Sequence, residues 1–261
     1  MIRTPRGHTV HSDRQGTGEW AMRGDDWSRT GSRGTPATDA SSVGTPWGTT
    51  SRREFVRLAA AGAAALGLTT GMSGCVLAAA GSKKLDFRDD FGILNFAYAL
   101  ETLEARFYEK VVASPPRDLR AGELEILRDI GAHEKAHARF LKRSLQILRV
   151  EVPMSVWPGI DFTSRQSVLT TARTFEDLGV AGYNGAGTRL RLAEFLTIAG
   201  KIVSVEARHA AALRDMLNPG SRDFAGDDVV DANGLDRALE PGEVLAQAQK
   251  YFAEPYRAVG L

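Results

Sequence analysis

A single cysteine, Cys75, occurs among the 261 residues. An internal disulfide is therefore impossible, and so is a metal site built on several thiolates. Any metal held here rests on carboxylate and imidazole. Excess charge of one sign is also missing, since 33 basic and 32 acidic side chains leave a net charge of +1. No basic surface announces nucleic acid as a partner. Long apolar runs are absent too. The most extended, LAAAGAAALGLTTGM at 58–72, is about 15 residues of mostly Ala and Gly, whereas a membrane span needs about 20. Strand-like alternation of any length is lacking. What the chain does have is 43% apolar residues, enough for one core of ordinary size plus extra segments.

The composition shifts along the chain. Residues 1–50 are rich in Gly, Ser, Thr, Arg and Asp, as in GSRGTPATDASSVGTPWGTT, without apolar periodicity. Such a stretch cannot bury enough surface to offset chain entropy, and a disordered extension is expected. A translation start near Val43 would leave a short, conventional leader. Residues 51–57 read SRREFVR and precede the Ala-rich run. Paired arginines, then Phe, then a weakly apolar stretch resemble a twin-arginine export signal over 51–80. The competing reading is a buried Ala-rich helix. Cys75 follows Met72-Ser73-Gly74, where a lipobox would be cut. Lipidation of Cys75 and ordinary cleavage at the small residues 78–80 both remain open. Either route predicts an exported protein of the periplasm or cell envelope that uses the twin-arginine machinery. The first adds a lipid anchor.

Four long helical patterns follow, over about 89–112, 122–150, 163–183 and 188–217. Asp86, Asp89 and Asp90 offer caps to the first, and Ser114-Pro115-Pro116 stops it. The second ends before Pro153. Asn184-Gly185-Ala186-Gly187 is expected to break the third. The fourth carries the stripe Leu192, Phe195, Leu196, Ala199, Ile202, Val203, Glu206, His209, Ala210, Leu213, Leu217 and closes at Asn218-Pro219-Gly220. The expected architecture is all-α: a four-helix bundle over 88–217 whose long helix 2–3 connection, about 151–162, crosses the bundle. A loose tail over 218–261 holds one short helix around 243–252.

Polar residues interrupt these stripes in a matched way. Glu134 and His137 share one helix face, as do Glu206 and His209. Their surroundings repeat as E-x-x-H-A-x-x-L-basic, in EKAHARFLK and EARHAAALR. The other two helices match as well: Ala97, Glu101, Leu103 and Tyr108 parallel Ala172, Glu176, Leu178 and Tyr183. The chain reads as a weak internal repeat of helix pairs, each supplying E…E-x-x-H. One E-x-x-H arises easily by chance and can lie on a solvated face. Four acid and imidazole groups on apolar stripes need partners, because an unpaired buried carboxylate costs several kcal/mol or more. Divalent cations are suitable partners.

This pattern resembles the ferritin-like superfamily. More narrowly, LNFAYALETLEARFYEK at 94–110 with HEKAHARFL at 133–141 looks like the group that includes plant desiccation-related proteins and exported bacterial ferritin-like proteins. The resemblance implies a ferritin-like bundle with two metal ions, iron or alternatively manganese. By position, Glu101 and Glu176 would be terminal ligands, Glu134 and Glu206 bridging ligands, and His137 and His209 nitrogen ligands. Tyr108 and Tyr183 would orient carboxylates from outside the ligand set, or simply pack. Glu104 occupies a position where the superfamily often has Ala, and is an alternative or additional ligand. Gly179, at the matching place on helix three, leaves space beside the site. His133 is expected to point away to the surface. Implied activities are reaction with oxygen or peroxide, or oxidation of ferrous iron. The contrasting expectation is a stress- or desiccation-associated structural or interaction protein of the envelope without catalysis. Association into homo-oligomers is compatible with either, while a closed iron-storage cage fits poorly with a leader and anchor.

Overall fold

A computed structural model describes residues 83–261. The expected extension, the twin-arginine segment and Cys75 lie outside the described residues. Within them, Asp89 accepts a hydrogen bond from the Gly92 N–H (2.9 Å) and caps α1, Asp90–Ala113. Pro115 and Pro116 follow its last turn and cannot continue it. Helix α2 spans Glu123–Leu145, α3 Arg165–Gly187 and α4 Ala193–Leu217. A shorter α5, Pro241–Ala248, starts in a reciprocal cap between Glu240 and Glu243. The bundle is all-α, apart from two three-residue parallel strands, β1 (Lys84–Asp86) and β2 (Arg257–Val259).

One buried arginine sets the topology. Arg165, at the start of α3, donates through Nε to Glu123 at the start of α2 (2.7 Å). Its Nη2 donates to the Met216 carbonyl at the end of α4 (2.6 Å). These three helix ends therefore lie together, and residues 146–164 must return along the whole bundle. They do so beside α1. Arg106 donates to the Pro153 carbonyl, and the Trp157 and Phe162 rings pack on Phe107 with centroids 5.8 and 5.7 Å away. The long crossover expected from the prolines is present.

Element ends differ from expectation wherever distant groups decide them. Helix α2 stops at Leu145 instead of 150. Gln146 takes φ 47°, and buried Asn95 on α1 donates to the Leu148 carbonyl and accepts from the Val150 N–H. Helix α3 runs through the expected break to Gly187. A side chain at Gly185 would meet the Leu239 carbonyl at 1.9 Å, so that glycine permits a close backbone approach. Helix α4 begins five residues late because buried Asp90 of α1 accepts from the Arg191 and Leu192 N–H groups (3.0 and 2.9 Å). Leu192 and Leu196, assigned to the core stripe, are exposed. The tail is not loose: Val244, Leu245, Ala248, Tyr251, Phe252 and Tyr256 are buried in the main core.

Candidate metal centre

The four helices bring Glu101, Glu134, His137, Glu176, Glu206 and His209 to one place. Each of the four carboxylates is at most 1% exposed. His137 Nδ1 lies 3.2 Å from Glu101 Oε2, 3.1 Å from Glu206 Oε1 and 3.5 Å from Glu134 Oε2. His209 Nδ1 lies 2.9 Å from Glu134 Oε1 and 3.2 Å from Glu176 Oε2. Two ligand groups result, each with its donor atoms within 4.8 Å of one another. One is Glu101, Glu134, His137 and Glu206; the other is Glu134, Glu176, Glu206 and His209. Glu134 and Glu206 belong to both.

Burial on this scale penalises charge. Desolvation, followed by the Glu176 charge, pushes Glu134 up to about 7 against the pull of both histidines. Glu206 is driven well above the usual carboxylate range by burial first and then by Glu101, Glu134 and Glu176. Burial pulls the imidazoles down, but the carboxylates outweigh it. Glu101, Glu134 and Glu206 hold His137 at about 12, and Glu134 and Glu176 hold His209 at about 9. Protons thus compensate part of the charge. They leave geometry unsatisfied: Glu101 Oε2, both oxygens of Glu134 and of Glu206, and His137 Nδ1 are buried without a hydrogen bond of acceptable geometry. Orphaned buried acceptors cost about 1–3 kcal/mol each, more when charged. An oxygen-rich set with two imidazoles could hold divalent ions such as iron or manganese, and the residues fit such a group.

The family description "Ferritin-like domain" matches residues 89–219, α1 through α4. The chain belongs to the ferritin-like family. No curated protein matches it. The matched span ends before α5 and β2, so the tail packed on this ferritin-like domain lies beyond the part the family describes.

Both tyrosines of the ferritin-like repeat reach the site, and they cross over. Tyr108 of α1 donates to Glu176 Oε1 on α3 (2.6 Å), and Tyr183 of α3 donates to Glu101 Oε1 on α1 (2.5 Å). Each hydroxyl occupies the outer oxygen and leaves the inner one facing a histidine. Burial, and then the nearby carboxylate, raise both phenols well above their ordinary range. They are donors, not phenolates. Helix packing makes this reach possible: a side chain at Gly131 would meet Tyr108 Cβ at 2.7 Å.

Glu104 is buried but belongs to neither ligand group. Its Oε1 and Glu206 Oε2 both lie 3.4 Å from where a Gly179 side chain would begin. It therefore stands beside the shared carboxylate in the space that glycine leaves. Burial, followed by the Glu206 charge, raises it well above the ordinary carboxylate range. A protonated Glu104 adds a donor rather than another negative charge.

His133 corrects an expectation. Its residue is exposed, yet its ring does not point away: Nδ1 lies 3.0 Å from His209 Nε2. Four residues separate it from His137, which on a helix means the same face. The run His133-Glu134-Lys135-Ala136-His137 also matches H-E-x-x-H, a pattern that would have drawn attention to it. Here Glu134 turns into the bundle and His133 meets a histidine of another helix.

Proposed function

We propose that this chain is an exported di-metal carboxylate protein, with iron as the favoured metal and manganese as the alternative. It reacts with oxygen or peroxide, or oxidises ferrous iron presented as substrate. The observation that carries this reading is the pair of ligand groups sharing Glu134 and Glu206. Bound metal would supply the electron change to a small oxidant. The chain's own residues do the rest. Glu134 and Glu206 hold the two halves together. Tyr108 and Tyr183 fix the rotamers of Glu176 and Glu101, which preserves ligand geometry while the halves are empty. The burial of Glu101, Glu134, Glu176 and Glu206 keeps bulk water from the carboxylates.

Export rests on Arg52 and Arg53 ahead of the Ala-rich run. A twin-arginine route suits a domain that folds around its metal before crossing. In a fractionation experiment, Arg52→Lys with Arg53→Lys is expected to retain the chain in the cytoplasm, and unchanged export would reject that route.

The test of function uses the purified full chain. After anaerobic reconstitution, oxygen uptake with ferrous iron and loss of peroxide are followed separately. Turnover above a Glu134→Ala control supports the redox reading. Background rates, with a melting temperature that rises on metal binding, would assign the centre to stability instead.

A further inference from the structure

The two halves of the centre are not equivalent, and the difference lies outside the ligand set. His209 is braced from behind and His137 is not. The His133 and His209 rings are parallel to within 7°, with centroids 5.2 Å apart and facing nitrogens 3.0 Å apart. A ring nitrogen sits about 1.2 Å from its centroid, so the centroid distance nearly equals the nitrogen separation plus both radii. The rings therefore lie edge to edge in nearly one plane, which is good geometry for an N–H···N hydrogen bond and excludes a face-to-face stack.

The internal repeat explains the asymmetry. When Glu134-x-x-His137 is laid on Glu206-x-x-His209, His133 falls on Val205. Valine offers no acceptor. Among the described residues, His137 Nε2 makes no hydrogen bond corresponding to that of His209 Nε2.

We infer that His133 is a positioning residue for one half of the centre: its Nδ1 accepts the Nε2–H of His209 and so reserves His209 Nδ1, with its lone pair, for a cation held with Glu134, Glu176 and Glu206. The inference rests on the di-metal reading above. Its physical basis is that an imidazole binding a cation through one nitrogen carries its proton on the other, and a partner for that proton fixes both tautomer and ring orientation. The face of His133 away from His209 is open to solvent, so this brace is exposed at its outer end.

Cobalt(II) titration of the metal-free full chain, followed by calorimetry and visible absorption, tests this. The wild type is expected to take up two ions. His133→Ala should weaken one of the two binding steps by about 10- to 100-fold and leave the other, and the melting temperature of the metal-free chain, unchanged. His133→Asn, which keeps an acceptor near the Nδ1 position, should restore most of the loss. Two unaltered steps in His133→Ala, beside two in the wild type, would overturn the inference and leave the di-metal reading intact. Equal weakening of both steps, or no rescue by Asn, would also overturn it. A wild type that takes up no cobalt would remove the di-metal reading itself.

Discussion

At the residue scale, the centre is a compromise between charge and burial. Of its six candidate ligand residues, Glu134, His137, Glu206 and His209 were legible in the sequence because each polar group broke an apolar stripe at helical spacing. Glu101 and Glu176 were legible only through the repeat. The crossed tyrosine bonds were not, since both span separate helices and nothing local distinguishes Tyr108 bonding Glu176 from Tyr108 bonding Glu101. Tyr183→Phe would free Glu101 Oε1, and should weaken metal binding at the His137 half by about 10- to 100-fold, as read by titration. Protonation supplies a second prediction, for the metal-free chain. Folding raises Glu134 from 4.5 to about 7 and His209 from 6.5 to about 9. The folded state then holds more protons than the unfolded state across that range. This contribution is complete below the unfolded values and is lost as pH rises through the folded ones. The melting temperature of metal-free protein should therefore fall from about pH 5 to about pH 9. A flat or rising profile would contradict the charge distribution described.

At the element scale, the repeat of two helix pairs explains why the ligand groups overlap. Each pair presents one lone Glu and one E-x-x-H, and bringing the pairs face to face places Glu134 and Glu206 in the middle. Helix existence and facing were readable from periodicity. Helix ends were not, because partners far away in sequence set them: Asp90 caps the start of α4 from α1, and Asn95 of the same helix takes the backbone of 148–150. Arg165 joins three helix ends through Glu123 and Met216. Arg165→Ala leaves the buried Glu123 carboxylate without that partner, and is expected to cost about 3 kcal/mol in denaturant unfolding. Gly131→Ala places a methyl group against Tyr108 and should destabilise by about 1–3 kcal/mol while loosening the Tyr108–Glu176 bond.

At the scale of the whole molecule, the described chain is larger than its ferritin-like portion. The family match stops at residue 219, but β2 pairs with β1 ahead of α1, and α5 fills the core beside Gly182 and Leu100. The tail's burial was hidden in the sequence because its apolar residues are carried by short elements and form no sustained helical stripe. Truncation after residue 218 should expose that core face, giving a lower melting temperature and a tendency to associate. All of these features converge on a domain built to keep four carboxylates and two imidazoles together away from water. The most direct measurement is the metal content of the natively produced protein beside Glu134→Ala and Glu206→Ala. The shared carboxylates predict about two ions of iron or manganese per wild-type chain, and loss of both ions in either variant. A wild-type chain that holds neither metal, even after anaerobic reconstitution, would contradict the di-metal centre.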